Sequence, residues 1–343
     1  MRNPKWFSVF MAAAMLPCIA YGAQTMSLEQ LKALYTRPTS VPFPTDNPYS
    51  AEKAALGEML FFDPRLSGAN YISCASCHNP ALSWGDGLPR GIGHGMTVLG
   101  RRTPTILNAA WADLLMWDGR KANLEEQALG PMSAPVEMNQ ELDKLAAKLG
   151  AIEGYRERFT QVFPGEGISV ANAAKAIATY ERTIVSGTAP FDRWIAGDEK
   201  AISESAKRGF VVFNTKANCQ ACHSGWNFTD NSFRDIGLPD GDIGRAKILD
   251  LPSMQHAFKT PTLRDVERRA PYMHDGSVPT LLAVVEHYDH GFVQRPSLSE
   301  EVKPLHLTER EKADLVDFMM TLTGDNPPVH VPVLFAGPHT AQR

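Results

Sequence analysis

The sequence predicts a mainly α-helical chain of two similar modules joined by long loops. Three observations carry that expectation. The motif Cys-x-x-Cys-His occurs twice, at 74–78 and 219–223. The apolar residues repeat at helical spacing, and no stretch alternates with period two over a strand's length. The composition is ordinary for a globular protein, 43% hydrophobic and 21% charged, with 26 Gly and 25 Pro among 343 residues. That length suits about two domains, and that Gly and Pro content suits loops. The net charge of −4 includes no basic block, so nucleic acid is not an expected partner.

In chain order, the first element is a targeting segment. Arg2 and Lys5 precede a nearly unbroken apolar run from Trp6 to Ala20, with small residues at Ala20 to Ala23. This reads as a secretory signal peptide spanning 1–23, too short for a comfortable membrane span and removed on export. Cys18 leaves with it. No other apolar stretch reaches membrane length, so the mature chain should be a periplasmic protein without a membrane span.

The predicted helices follow. Ser27 and Gln30 form a capping-box start for a short first helix. Helices are expected over 52–62, 170–185 and 205–213. Another over 308–322 is capped by Thr308 and Glu311 and stopped by Gly324. The runs Leu56-Gly57…Leu60-Phe61-Phe62 and Arg208-Gly209…Val212-Phe213-Asn214 form a weak internal repeat, each leading into one Cys-x-x-Cys-His motif. The chain therefore divides into an N-terminal module at 24–188, a C-terminal module at 189–330 and a tail at 331–343.

Four cysteines remain in the mature chain, Cys74, Cys77, Cys219 and Cys222, and all fall in the two motifs. Cys-x-x-Cys-His is the attachment pattern of c-type haem. Thiols at i and i+3 share one side of a helical turn, where they can form thioethers with two vinyl groups. The adjacent imidazole, His78 or His223, then reaches the iron. A zinc site pairs two Cys-x-x-Cys units roughly 15–20 residues apart, whereas Cys77 and Cys219 are 142 apart. A redox dithiol needs a βαβ setting that the sequence does not offer. The expectation is two covalent haem c groups in two cytochrome c-like helical domains.

With these motifs the chain resembles the bacterial di-haem cytochrome c peroxidases and their MauG relatives. The supporting stretches are Gly91-Ile92-Gly93-His94, Arg102-Thr103-Pro104-Thr105, Trp117-Asp118-Gly119-Arg120, Glu126-Gln127-Ala128, Pro135-Val136-Glu137-Met138 and Lys259-Thr260-Pro261-Thr262, running on to Pro271-Tyr272-Met273-His274. They cover most of 50–325 in the family's order. The resemblance implies a periplasmic enzyme that reduces hydrogen peroxide at the first haem. Electrons would enter through the second from a small cytochrome c, a cupredoxin or a protein substrate. It leaves room for a homodimer, and a non-enzymatic electron carrier would leave Glu137 and Gln127 without a role.

The resemblance also assigns residues. Glu137 matches the catalytic carboxylate, which takes a proton from the inner peroxide oxygen and delivers it to the outer one. Gln127 matches the second distal residue, and Trp117 the indole between the haems. His94 matches a removable sixth ligand of the first iron in the peroxidase branch. Tyr288, fourteen residues beyond His274, stands where that branch carries Met and MauG carries Tyr as ligand of the second iron; His287, His290 and Met273 are its rivals. A phenolate favours ferric and higher iron, whereas a thioether raises the potential. His94 thus favours the peroxidase branch and Tyr288 the MauG branch. Finally, a calcium ion (Ca2+) between the haems is implied, held by an Asn before the Thr-Pro-Thr run and by carbonyls near Arg269 and Pro271. Here Arg102 stands at the Asn position and brings positive charge where a hard cation wants oxygen.

Overall fold

The computed structural model describes residues 26–337; the expected signal segment 1–23, with Cys18, and residues 338–343 of the tail lie outside the described residues. Helices dominate. They are α1 Leu28–Ala33, α2 Ala51–Phe62, α3 Cys74–Cys77, α4 Leu124–Ser133, α5 Leu142–Gly150, α6 Glu153–Val162, α7 Val170–Thr183, α8 Pro190–Ile195, α9 Glu204–Asn214, α10 Leu281–Glu286 and α11 Glu309–Met320. The regular strands among the described residues are two-residue stubs, β1 Phe233–Arg234 and β2 Phe258–Lys259, paired antiparallel.

The helix starts are set by side chains that satisfy orphan backbone N–H groups. Ser27 accepts from the Gln30 amide while Gln30 accepts from the Ser27 amide, and Thr308 and Glu311 repeat the arrangement at α11. Ser50, Ser169 and Ser203 cap α2, α7 and α9. α2 stops at Asp63 because Pro64 follows.

Two helix pairs organise two cores. α2 packs on α7, and α9 packs on α11. Each crossing is closed by a glycine at matching places in the repeat. A Cβ on Gly57 would sit 1.9 Å from the Ala176 carbonyl oxygen, and one on Gly209 would sit 1.9 Å from that of Asp314. The first core holds Leu56, Leu60, Phe61, Phe159 and Ile177, and the second holds Phe191, Phe210, Phe213, Phe228 and Phe318.

The two termini depart from the expected division. Tyr35, within 24–188, is buried in the second core against Phe191, Phe210 and Phe228, its hydroxyl donating to Asn214 Oδ1 at 2.7 Å. Phe335, in the expected tail, packs edge-on against Tyr155 of the first core. Each small core is thus completed by a segment from beyond its own stretch of sequence, which buries more apolar surface than either module has alone. No helix among the described residues is long and apolar enough to cross a membrane.

Candidate functional site

The Cys-x-x-Cys-His motifs occupy two short turns, α3 and a 3-10 turn over Cys219–Ala221. In both, the histidine is oriented in the same way. His78 Nδ1 lies 3.1 Å from the Trp84 carbonyl oxygen, and His223 Nδ1 lies 2.9 Å from that of Phe228. A carbonyl only accepts, so each Nδ1 must donate, leaving Nε2 with its lone pair free for a metal. Trp84 and Phe228 both have positive φ, 61° and 52°, which turns their carbonyls back onto the rings. Burial lowers the pKa of both imidazoles, that of His223 to about 4, so both stay neutral.

Both motifs open onto one cavity of about 740 Å³, lined by all four cysteines and both histidines. Four thiols, two oriented imidazoles and a largely apolar wall are the donor set that two thioether-bound haems require, so the residues present fit the group.

Glu137, Gln127, Trp117 and Tyr288 line the same cavity. Glu137 follows α4 in a turn in which its own N–H donates to Ala134 O at 3.0 Å. Its carboxyl has no hydrogen bond among the described residues. Burial raises its pKa, and the nearby Arg120 charge opposes the rise. Gln127 lies on α4, its amide nitrogen 3.7 Å from Met116 Sδ. Trp117 Nε1 donates to the Arg102 carbonyl at 2.8 Å, and its ring meets His274 edge-on at 6.3 Å. His274 in turn stacks on Phe258 and sits 2.9 Å from Asp240.

His94 is not among the cavity residues. Its ring stacks on Tyr71 at 5.9 Å, with Nδ1 3.3 Å from the Tyr71 hydroxyl. Its main chain does something the sequence did not suggest. The His94 N–H donates to the carbonyls of Glu137, at 2.8 Å, and Val136, at 3.1 Å. Gly93 lies so close to this segment that a Cβ would be 2.0 Å from the Val136 oxygen. The 91–94 loop therefore holds the Glu137 turn by its backbone.

Tyr288 sits on a π-helical turn, His287–Gly291, that continues α10. Its hydroxyl makes no hydrogen bond among the described residues, and burial lifts its pKa far above the ordinary phenol value. Of its rivals, His287 is committed to the Ile236 carbonyl at 2.8 Å and His290 is exposed, while Met273 lines the cavity. Two further cavity residues escaped the sequence reading. Glu181 is buried on α7 with Oε2 unpaired, and burial lifts its pKa to about 8. Lys259 is half-buried, and desolvation lowers its pKa to about 8. A Glu-Arg step in an amphipathic helix reads as a solvated face, so no signal marked Glu181.

Comparison with known proteins decides the family. Residues 51–200 match the di-haem cytochrome c peroxidase family and residues 206–323 match cytochrome c. The chain is 51% identical over 316 residues to the methylamine utilization protein MauG of Methylorubrum extorquens, covering 91% of this chain and 90% of that one. The chain belongs to the di-haem cytochrome c peroxidase and MauG family. The cytochrome c551 peroxidase of Pseudomonas aeruginosa is more distant, 34% identical over 92% of this chain and 91% of its own. A crystal structure of a MauG-like protein associated with microbial copper homeostasis superposes with a TM-score of 0.77 at 31% identity, covering 84% of this chain and 95% of that one. This di-haem peroxidase is a peroxide-dependent oxidoreductase with two covalently bound c-type haems and a protein electron donor.

Proposed function

We propose that this di-haem peroxidase acts in the MauG manner in the periplasm, after removal of residues 1–23. In this reading the domain of 24–188 carries the peroxide-reducing haem on Cys74, Cys77 and His78. The domain of 189–330 carries the electron-transfer haem on Cys219, Cys222 and His223. A c-type haem, when bound, would supply redox-active iron at each site, with His78 and His223 as the residues that would hold it.

The remaining work falls to this chain's side chains. Glu137, with its pKa raised by burial and its turn fixed by the 91–94 backbone, moves the proton from the inner to the outer peroxide oxygen. Gln127 orients peroxide from α4. Trp117 relays charge between the two haem sites, its indole N–H fixed on the Arg102 carbonyl. Tyr288 supplies a hard oxygen at the second site, where a phenolate makes oxidising equivalents tolerable. Tyr288 would be the residue that holds the second haem's iron, whose positive charge would offset the burial that otherwise keeps this phenol protonated.

One observation carries the choice of the MauG manner. Tyr288 lines the cavity with an unpartnered hydroxyl, while His287 is committed elsewhere and His290 faces solvent. The peroxidase reading, in which a small cytochrome c or a cupredoxin feeds peroxide detoxification, leans on His94, whose ring is engaged with Tyr71. The 51% identical relative is named for methylamine utilization, and we read the donor here as a protein substrate of that process, oxidised at long range. The deciding experiment is Tyr288→Met with spectroelectrochemistry of the second haem. Its potential should rise on the order of 0.1 V, within the ~0.8 V that axial ligands span, and a Met–iron charge-transfer band should appear. An unchanged potential with both haems attached would mean another residue holds the site.

A further inference from the structure

The calcium ion implied between the haems does not fit these residues. A calcium site needs roughly 6–8 oxygens at about 2.3–2.6 Å. Here the position of the expected Asn oxygen is Arg102, whose guanidinium donates to the Arg269 carbonyl at 2.6 Å. That carbonyl is one of the oxygens a calcium ion would have used. Arg269 itself is buried beside it, its guanidinium donating to Thr262 O at 2.5 Å. Burial and the Arg102 charge together lower its pKa to about 10. Two buried guanidinium groups therefore occupy the neighbourhood a dication would need, and they repel it.

The same contacts show what Arg102 does instead. Its backbone N–H donates to His274 O at 2.7 Å, its carbonyl receives the Trp117 indole, and its side chain reaches Arg269 O. Arg102 comes from the N-terminal stretch, whereas His274 and Arg269 come from the C-terminal one. Both arginines line the haem cavity, and each keeps an unpaired, buried Nε–H. Unpaired N–H groups of buried cations require an acceptor, and the propionate carboxylates that haem brings are anionic acceptors.

We propose that the Arg102 guanidinium is a built-in cation that takes the place of a dissociable calcium ion between the two haem sites, so that their coupling in this chain is independent of calcium. The proposal rests on the two-haem reading and not on the choice between the MauG and peroxidase manners.

The test uses the purified holoprotein, dialysed against EGTA and then assayed for calcium by elemental analysis. Fewer than about 0.1 calcium per chain is expected, with the spectra and potentials of both haems the same in EGTA and in millimolar calcium. One bound calcium per chain, or a spectrum or potential that shifts on chelation, overturns the proposal. In EGTA, Arg102→Asn holoprotein with both haems attached should melt about 5 °C lower than the parent and show an altered potential at one haem. A variant that matches the parent in both respects removes Arg102 from the bridge. Should that variant fail to fold, the chelation experiment on the parent still decides.

Discussion

Glu137→Gln separates proton movement from everything else the first site does. The substitution keeps volume and leaves the Ala134 turn and the His94 backbone contact intact, because both are main-chain interactions. What disappears is a carboxyl whose pKa burial has raised and which no hydrogen bond in the described structure restrains. A positioned acid–base group contributes roughly 10²–10⁴ in rate, or about 3–5 kcal/mol of barrier. The partly buried setting and the absence of a competing partner argue for the upper half of that range. Stopped-flow mixing of the ferric protein with peroxide, followed in the Soret region, reads the step directly. The parent should lose activity on acidification through the raised carboxyl pKa, since Glu137 must first accept a proton. Arg120 opposes the rise, so Arg120→Ala should move that limb to higher pH. A Glu137→Gln protein that reacts at the parental rate with both haems attached would refute this account.

Three further outcomes are expected. Glu181 is buried with a pKa of about 8, against 4.5 unfolded. The unfolded chain therefore releases this proton between those values while the folded chain keeps it, and stability falls as pH rises through that window. Glu181→Gln should match the parent at pH 4 and be more stable at pH 8 by denaturant titration; equal stability at pH 8 would show the carboxyl ionised in the fold. Gly209→Ala forces a methyl onto the Asp314 carbonyl and should cost at least the ~1–3 kcal/mol of ordinary overpacking, visible as a lowered melting temperature. A melting point at the parental value would mean that α9 and α11 can separate freely. Trp117→Phe removes the indole N–H that fixes the ring on Arg102. It should slow oxidation of the second haem after peroxide addition by more than it slows peroxide cleavage, and equal effects on both would remove Trp117 from the relay.

The haem-bearing parts of the fold were legible because their signals are local. Thiols at i and i+3 with a following histidine have one common use, and the capped helices at 28–33, 51–62, 204–214 and 309–320 carry their start signals in adjacent residues. α4 was harder to read because Gly130 and Pro131 sit inside it, and Pro ordinarily ends a helix. α5 and α6 are separated by a break of only two residues, so their starts and stops blur in the sequence. The swap of Tyr35 into the second core and Phe335 into the first depends on long-range burial that no window along the chain can show. The Arg102–Arg269 contact is similar: the charge was visible at position 102, but its carbonyl partner lies 167 residues away.

The two modules begin from the same device and diverge in the other residues that line the cavity. Each has a glycine at its helix crossing, a Cys-x-x-Cys turn, and an imidazole fixed by a carbonyl whose residue has positive φ. These shared parts would hold a haem in the same way on both sides, so what separates the modules is the rest of the cavity wall. On the first side the cavity wall includes Glu137, whose turn is held by main-chain bonds from the 91–94 stretch, so the proposed chemistry there would depend on a backbone contact as much as on the carboxyl. On the second side a π-helical turn carries Tyr288, and a turn widened by one residue changes which side chain faces the cavity. Removing one residue from 287–291 should therefore replace Tyr288 with a neighbour at the cavity wall and change the second haem's optical spectrum while leaving the first haem's reaction with peroxide in place. If both sites changed together, the two sites would not be independent, and assigning one to peroxide and the other to holding oxidising equivalents would lose its structural basis.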